Sequence, residues 1–543
     1  MIQIFIENPI LLLFVVASLG YLLGTVKIKG GSLGVAAILF TGLAFGAINP
    51  QLQIPETILL LGLSIYVYSV GLSSGPAFFN SYQKNGIRDF GFAILTLGFS
   101  GLVAVLLWLV FGFTAASIAG VYTGSTTNTA ALAGVIDLIS TTRAGADNAG
   151  LIESTVVGYS FAYPMGVMGG IIAIVLLERW LRIDYQEEKE RLRKEYPSDE
   201  NLTSATVEVN SARFAEGVSL RDLFKEFDWN VVFGRVLQND EVSLSHWDTV
   251  LRSGDKIVVV GNQSEINNVA AALGQFSKAD ITASKSQFKT KRIFVSNPDL
   301  AGRTIASLNL KEKYHAIFTR LRRGDMVMLA KSDTVLEIGD RIRFIAREED
   351  LAELSELFGD SYQASSKINL FSFGLGIGLG MILGTIEFSL GANFNLKLGY
   401  AGGPLIVGLI LGALRRTGPV VWTLPYSANV TLQQIGLILL LSAIGVRSGN
   451  AFVQSFTAEG ACIFIASAII SLLTAFAIIL LGYKWLKLPF SLLTGMVANQ
   501  PAILDFAIAR AKNNIPMYGY SLMFPIGLIL KILIAQLLFL VLS

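Results

Sequence analysis

The stretch SVGLSSGPAFFNSYQKNG at Ser69–Gly86 returns, with changes, as AIGVRSGNAFVQSFTAEG at Ala443–Gly460. The positions that are identical in both copies are those of Gly71, Ser74, Gly75, Ala77, Phe78, Ser81 and Gly86. Two further pairs of blocks follow the same order: GYLLGT (Gly20–Thr25) with GMILGT (Gly380–Thr385), and GYSFAYPMG (Gly158–Gly166) with GYSLMFPIG (Gly519–Gly527). Three blocks rich in glycine and proline, repeated in one order, predict two copies of a single structural unit.

The composition indicates that both copies lie in a membrane. Of the 543 residues, 52% are hydrophobic and 15% are charged, with a mean hydropathy of +0.58, whereas a soluble domain carries about 25% charged residues. These values and the net charge of +2 exclude ordinary cytosolic enzymes, disordered chains and nucleic-acid binders. The single cysteine, Cys462, and the two histidines, His246 and His315, leave no internal disulfide and almost no ligands for a zinc site.

Ten apolar runs have the length of membrane spans, because a bilayer core of about 30 Å needs about 20 mostly apolar residues. They lie at about 9–27, 32–48, 57–79, 89–113, 154–178, 370–388, 399–414, 429–448, 458–482 and 515–542. Each half also holds one apolar stretch with a polar middle, at 115–139 and at 488–511. No small-residue cleavage site follows the first run, so we interpret it as a span rather than as a cleaved signal peptide.

The basic residues of the loops predict the orientation of the two halves. If 115–139 and 488–511 are re-entrant hairpins, most loop lysines and arginines fall on the side of the charged block at 179–366, which is then cytoplasmic. Five crossings per half invert the second half relative to the first, as in many secondary transporters. The predicted fold is a polytopic α-helical membrane protein, an inverted repeat of five transmembrane helices plus one re-entrant hairpin each, with halves at 1–181 and 367–543.

The two broken stretches carry the candidate substrate site. Their candidate residues are Ser125, Thr126, Thr127, Asn128 and Thr129 in the first stretch and Ala498, Asn499, Gln500 and Pro501 in the second. Irregular backbone at membrane depth must face protein or water, because unpaired amides in lipid cost several kcal/mol. A half-helix that starts there directs free N–H groups and a positive dipole end into the cavity, which favours a carboxylate. Alternatively, these side chains only pack helices or bond backbone.

Charged and polar residues elsewhere in the spans complete the set of candidates. They are Arg447, Ser448 and Lys531 for substrate binding, and Asp505 and Asp137 for coupling. A charge at the bilayer centre costs at least about 2.5–3.5 kcal/mol, so Lys531 should face the bundle and meet an anion, either the substrate or Asp505. The alternatives are that Asp505 forms a structural ion pair, that Asp137 lies near the outer surface, and that Arg447 is an interfacial arginine at a helix end.

The block between the halves predicts soluble domains. A charged linker helix that extends the last membrane span of the first half is expected at 182–202, followed by two copies of a small α+β unit at 203–283 and 284–362. WDTVLRSGDKIVVVG (Trp247–Gly261) matches SDTVLEIGDRIRFIA (Ser332–Ala346), and in each copy a GD turn leads into a strand and then a helix. The expected helices are Gln263–Leu273 and Glu348–Phe358. Without a nucleophile–base pair or a GxGxxG fingerprint, a ligand-sensing or dimerising module is the preferred interpretation, and a structural spacer is the alternative.

Several of these motifs resemble the aspartate:alanine exchanger family of bacterial secondary transporters. The resemblance rests on GLSSGPAFF with GVRSGNAF, on GSTTNTAAL, on ANQPA and on the paired central domains, which are TrkA-C-like. It covers nearly the whole chain and implies a dimeric transporter of the bacterial inner membrane that exchanges small amino or organic acids. Ser73 stands where some exchangers of the family are expected to carry a basic residue, so the resemblance does not fix aspartate as the substrate.

The sequence therefore favours an antiporter of small carboxylates, most of all amino acids, that works by alternating access. A proton- or sodium-coupled symporter and a ligand-gated channel are the alternatives, although no TVGYG-like filter is present. No enzymatic activity, cofactor, metal or nucleic acid is expected. The expected partners are the substrate, membrane lipid, a second copy of the chain and a small regulatory ligand at the central domains.

Overall fold

The structure is a computed structural model of the chain that describes residues 2–26, 34–142, 147–192, 202–227, 229–278, 281, 287–324, 326–389, 395–454, 458–498, 501–513 and 515–543. It divides into two compact units. The helical unit comprises Met1–Tyr196, Leu370–Leu414 and Asn429–Ser543, and the central unit comprises Pro197–Asn369 and Arg415–Ala428.

Most of the chain is helical. In chain order the helices are α1 (Ile2–Glu7), α2 (Pro9–Gly24), α3 (Ala37–Ile48), α4 (Glu56–Phe111), α5 (Ala115–Ser125), α6 (Thr129–Thr142), α7 (Asp147–Leu181), α8 (Tyr185–Leu192), α9 (Leu220–Glu226), α10 (Gln263–Leu273), α11 (Leu310–Tyr314), α12 (Leu351–Phe358), α13 (Tyr362–Ser366), α14 (Leu370–Thr385), α15 (Gly399–Leu414), α16 (Tyr426–Gln454), α17 (Ala458–Lys484), α18 (Phe490–Val497), α19 (Pro501–Ala511) and α20 (Ile515–Leu542).

Five or six of the ten predicted spans are long and apolar enough to cross a membrane, within the described ranges. Five are single segments, and α20 makes a sixth if its two parts, which meet at a bend of 41° on either side of Pro525, count as one span. The single segments are Glu56–Pro76, Phe90–Phe111, Asn148–Leu181, Tyr426–Gln454 and Gly460–Lys484. The other four are the shorter apolar helices α2, α3, α14 and α15. A helix of 16 residues is about 24 Å long, so the predicted count of ten full-length spans is not confirmed.

Two helix ends differ from the sequence prediction. The runs predicted at 57–79 and 89–113 belong to one helical backbone, α4, which contains Pro76 and ends only at Gly112, with φ +68°. The sequence predicts that the charged linker extends α7, but the structure shows a separate helix. Helix α7 ends at Leu181, Arg182 takes a φ of +52°, and α8 starts separately at Tyr185.

Glycines of the repeated blocks bring helices of different halves into close contact. A Cβ added to Gly75 on α4 would lie 2.2 Å from the Leu409 oxygen on α15, and one added to Gly449 on α16 would lie 2.2 Å from the Leu43 oxygen on α3. Small residues permit such close backbone approach between membrane helices. Thus α4 of the first half packs on α15 of the second, and the corresponding helix α16 packs on α3.

Both stretches with a polar middle contain a helix break. The first break separates α5 from α6 at residues 126–128, and the second follows α18, where Ala498 is extended and α19 starts at Pro501. Asn499 and Gln500 lie outside the described residues.

The central unit contains two antiparallel sheets. Its strands are β1 (Thr203–Val209), β2 (Val218–Ser219), β3 (Val232–Gln238), β4 (Glu241–Leu244), β5 (Val250–Leu251), β6 (Lys256–Gly261), β7 (Gly274–Ser277), β8 (Phe288–Phe294), β9 (Ile317–Arg323), β10 (Met326–Leu329) and β11 (Arg341–Arg347). The first sheet has the order β4-β3-β6-β1-β7 and the second the order β10-β9-β11-β8, and each has its own hydrophobic core. The short strands β2 and β5 pair with each other outside these two sheets. Short hairpins occur outside the sheets: β12 (Glu387–Ser389) with β13 (Asn395–Lys397), and β14 (Arg416–Thr417) with β15 (Val420–Val421).

The repeated GD turns fold alike in both copies. Gly254 and Gly339 have φ values of +96° and +90°, a backbone region that favours glycine. The carboxylates of Asp255 and Asp340 each accept the backbone N–H three residues earlier, at 2.7 and 2.8 Å. The first expected helix, α10, has the predicted bounds, whereas α12 begins at Leu351, after a turn.

Candidate functional site

A cavity of about 450 Å³ lies in the helical unit at the two helix breaks. Residues of both breaks line it, together with residues of α4, α7, α16 and α20. Its polar and aromatic lining consists of Tyr66, Ser73, Thr126, Thr127, Asn128, Thr129, Tyr163, Gln433, Gln434, Asp505, Tyr520, Phe524 and Lys531. The fold therefore brings seven of the fourteen predicted site residues to one place.

Thr127 has the most unusual backbone of the lining. Its φ is +47°, although it is β-branched, and such residues rarely adopt a positive φ. The side chain is buried, and its hydroxyl has no hydrogen-bond partner among the described residues. Strained backbone and an unsatisfied buried hydroxyl are features of functional sites in proteins.

The polar side chains next to Thr127 form hydrogen bonds within the protein. Asn128 Oδ1 accepts the Ala131 N–H at 3.0 Å and so caps the start of α6. The Thr126 hydroxyl donates to the Tyr122 carbonyl at 2.9 Å, and the Thr129 hydroxyl lies 2.9 Å from that of Tyr159. The backbone-bonding alternative therefore holds for part of the cluster, although all three side chains still line the cavity.

Two groups of opposite charge line the same cavity. Lys531 is 6% exposed and lies in the part of α20 that follows the bend, and Asp505 belongs to α19, just after the second break. Both were predicted from the cost of a charge at membrane depth. No group of three or more His, Cys, Asp or Glu side chains in the described part of the chain could hold a metal ion.

Four predicted residues do not line this cavity. Ser125 is buried and donates to the Val121 carbonyl at 2.6 Å. Asp137 is also buried and accepts the Ala401 N–H at 3.4 Å in the first turn of α15. The remaining two, Arg447 and Ser448, lie on α16, where the arginine is half-buried and the serine fully buried. Their assignment to the site stays a prediction that the cavity does not support.

The second break is described only in part. Ala498 lines the cavity, and Pro501 starts α19. Asn499 and Gln500, which are predicted substrate ligands, lie outside the described residues.

Two glutamines of α16 that the sequence prediction did not include belong to the cavity lining. Gln433 and Gln434 line the cavity, and Gln433 Nε2 donates to the Ser73 hydroxyl at 3.0 Å and to the Ser69 carbonyl at 3.1 Å. Two adjacent amides in the apolar run TLQQIGLILLL were a signal that the sequence offered, because polar side chains inside membrane helices face the bundle or a cavity.

The arms of the second break are held at their far ends by acidic residues. Glu188 on α8 is buried and accepts the Ser491 N–H at 2.9 Å in the first turn of α18, as well as the Phe490 N–H. Arg510, near the end of α19, donates two hydrogen bonds to the carboxylate of Glu178, at 2.9 and 3.0 Å.

Comparisons with known proteins assign the chain to a family. A family model described as a predicted permease membrane region matches residues 12–179 and 372–540, and a TrkA-C domain model matches residues 291–359. An uncharacterized transporter of Geobacter sulfurreducens is 45% identical over 543 residues and 99% of each chain. An uncharacterized transporter of Symbiobacterium thermophilum is 43% identical over the whole of both chains, and one of Corynebacterium diphtheriae is 38% identical over 98% of both.

One solved structure is also similar to part of the chain. A crystal structure of the GsuK RCK domain covers 31% of this chain and 65% of its own, at 11% identity and a TM-score of 0.16.

The apolar helices and the transporters among the relatives define a multi-pass membrane protein with a TrkA-C domain between its two matched membrane regions. The chain belongs to the aspartate:alanine exchanger family of predicted permeases, as its motifs predicted. The TrkA-C model matches the second of the two predicted α+β copies.

Proposed function

We propose that this protein is a secondary antiporter that exchanges small amino acids or related carboxylates through the cavity at the helix breaks. The observation that carries this proposal is that Lys531, Asp505 and the strained Thr127 line one cavity. Its volume of about 450 Å³ falls within the range of roughly 300–1,000 Å³ that is typical of small-molecule sites.

The charges favour an amino acid over a simple organic acid. The Lys531 ammonium suits a carboxylate, and N–H groups at the start of α6 add donors with a positive dipole end. The Asp505 carboxylate suits the substrate ammonium, which an organic acid lacks. The Thr127 hydroxyl, which has no hydrogen-bond partner among the described residues, is available to the bound substrate.

The repeat suggests how such a site opens to both sides. The matched glycine contacts of α4 with α15 and of α16 with α3 support two related halves. In the proposed arrangement the halves are inverted, each crosses the membrane five times, and the broken stretches are re-entrant hairpins. One bundle that carries the hairpins then moves against a scaffold, which gives alternating access.

The proposed setting is the bacterial inner membrane, with the central unit in the cytoplasm, because this arrangement satisfies the positive-inside rule. A homodimer is the proposed assembly, with the scaffold as the contact surface. Antiport is preferred to coupled symport because the family resemblance points to exchange.

A small regulatory ligand is proposed for the central unit. A cavity of about 640 Å³ lies there between the two α+β copies. Its lining includes Phe224, Trp229, His246 and Trp247 from the first copy and Lys331 from the second. Small-molecule pockets occur preferentially where two domains meet.

Exchange in proteoliposomes tests the proposal. Vesicles preloaded with unlabelled amino acids or dicarboxylates are compared with empty vesicles for uptake of the labelled compound, and antiport requires the internal substrate. Lys531→Met is expected to reduce uptake at least tenfold, because the substrate carboxylate loses its cation. The matched control is Lys484→Met, which removes a lysine from the last turn of α17, away from the cavity.

Equal uptake into empty and preloaded vesicles would replace antiport by symport. Wild-type uptake by Lys531→Met would contradict the proposed site. Currents above transporter rates in planar bilayers would show a channel and so contradict the proposed class of protein.

A further inference from the structure

One face of the second sheet of the central unit carries five arginines. Arg343 on β11 stands directly opposite Arg292 on β8 and Arg320 on β9, and Arg341 stands opposite Arg322. Side chains alternate between the faces of a strand, so these five share one face, whereas the residues between them fill the core. We call this set the arginine face.

The arginine face is electrostatically unfavourable as it stands. Like charges directly opposite each other on neighbouring strands are destabilising. Arg292, Arg320, Arg341 and Arg343 form no ion pair with any acidic residue that the structure describes. Partial burial lowers the pKa of Arg320, and the charges of Arg343 and Arg292 lower it further.

The fold of the α+β unit does not require these arginines. The first copy has the same GD turn, and alignment of Asp255 with Asp340 places Val258 at the position of Arg343. At the ends of β1 and β8, the Val209 N–H and the Val295 N–H donate to the carbonyls of Asp255 and Asp340. This equivalence aligns the two strands and places Thr206 at the position of Arg292. A related sheet therefore forms without the charge cluster, so the cluster calls for another explanation.

A small cavity lies at the edge of the arginine face. Its volume is about 190 Å³, and Arg322 and Arg341 line it together with Phe294, Tyr362 and Tyr426. The Nε of Arg341 is buried and has no hydrogen-bond partner among the described residues. The volume is below the roughly 300 Å³ of a typical small-molecule pocket, so the cavity suits one anionic group rather than a whole ligand.

We propose that the arginine face is a binding site for a phosphate-bearing ligand. Guanidinium groups grip phosphate oxygens bidentately, and a phosphate monoester carries about −1.5 to −2 charges at neutral pH, enough to offset the mutual repulsion of several arginines. A dissolved phosphate compound and an anionic phospholipid headgroup both present phosphate oxygens to guanidinium groups, although the phosphodiester of a phospholipid carries less charge than a monoester. The site is independent of the transport cavity.

The test uses the full chain and inorganic pyrophosphate as the probe. In detergent, pyrophosphate is expected to raise the melting temperature of the wild type by about 3 °C or more. Arg343→Val, which installs the residue of the first copy, should abolish most of this shift while melting no lower than the wild type without pyrophosphate. Arg320→Gln provides a second variant should Arg343→Val fold poorly. The control Arg213→Gln removes an exposed arginine that pairs with Glu226 in the same unit, and it should keep the wild-type response.

A second experiment, in lipid nanodiscs, distinguishes a phospholipid headgroup from a dissolved phosphate compound as the ligand. Nanodiscs that contain phosphatidylglycerol are compared with nanodiscs of phosphatidylcholine alone. A higher melting temperature of the wild type in the anionic lipid, lost in Arg343→Val, supports the site with a headgroup as ligand. The proposal would be overturned if pyrophosphate and anionic lipid shifted the melting temperatures of the wild type, Arg343→Val and Arg320→Gln equally.

Discussion

Glu188 on α8 binds the first turn of α18, where it accepts the backbone N–H of Ser491 at 2.9 Å, although 303 positions separate the two residues. The residue at the N-cap of α18 is Pro489, whose side chain cannot accept a hydrogen bond, so the first N–H groups of the helix need an external acceptor. The opposite end of this short helix reaches Ala498, which lines the cavity. The linker helix is therefore joined through α18 to the second break.

Replacement of Glu188 by glutamine tests this relationship. The amide keeps the size of the side chain but can accept through one oxygen only, so at least one buried N–H loses its partner, at a cost of about 1–3 kcal/mol. We expect a lower melting temperature in detergent and slower substrate exchange. Glu187→Gln is the matched control, because Glu187 is the exposed neighbour on the same helix, and it should behave as the wild type. Equal melting temperatures for the two variants would contradict the role of Glu188.

The hydroxyl of Thr127 is expected to act on the substrate rather than on the fold. Because this hydroxyl has no partner among the described residues, Thr127→Ala should leave the melting temperature unchanged without substrate. The loss of one hydrogen bond should weaken the apparent substrate affinity about 2- to 10-fold, and Thr127→Ser should retain it. Exchange measured over a range of substrate concentrations checks this, and a Ser variant as weak as the Ala variant would be evidence against it.

The glycine contact between α4 and α15 should not tolerate a methyl group. In Gly75→Ala the new Cβ would lie 2.2 Å from the Leu409 oxygen, and overpacking of this kind typically costs about 1–3 kcal/mol. Gly98→Ala on the same helix is the control, because no atom lies within 4 Å of its new Cβ. Size-exclusion profiles and melting temperatures should show loss of folded protein for the first variant only. Normal behaviour of Gly75→Ala would show that α4 and α15 are farther apart.

Arg323 is expected to be essential for the second α+β copy. It donates two hydrogen bonds of 2.7 Å to Asp340 and one of 2.7 Å to Glu337. Arg323→Met leaves two carboxylates buried without this cation, which typically costs about 3–5 kcal/mol. Gln238→Met, at the equivalent position in the first copy, removes one neutral donor from Asp255 and should cost about 1 kcal/mol.

The loss in Arg323→Met should depend on pH. Burial raises the pKa of Glu337 and of Asp340, and Arg323 opposes this rise. Without Arg323 the pKa of each carboxyl group in the folded protein rises further above its value in the unfolded chain. The variant is therefore less stable than the wild type by the full amount at neutral pH, and this difference in stability shrinks as the pH falls and the groups become protonated. Melting temperatures at about pH 7.5 and about pH 5 check the sign, and a larger deficit at the acidic pH would contradict it.

Much of the candidate site could be predicted from local sequence, because helix breaks and charges at membrane depth are visible without a fold. Thr126–Thr129, Lys531 and Asp505 follow from those signals and meet in the cavity. Asp137 carries the same signal as Asp505, yet it lies against the start of α15. Periodicity alone does not distinguish the two, because the neighbour that a side chain meets belongs to another helix.

The sequence by itself determined the membrane class, the two related halves, the positions of the helix breaks and the GD turns of the central unit, because composition, glycine and proline act within a few residues. Only the tertiary structure decided that Ser73 and Gln433 share the cavity with Thr127 and that Glu188 holds α18. These relationships depend on how closely distant helices approach, and that distance is fixed by packing such as the contact of Gly75 with Leu409.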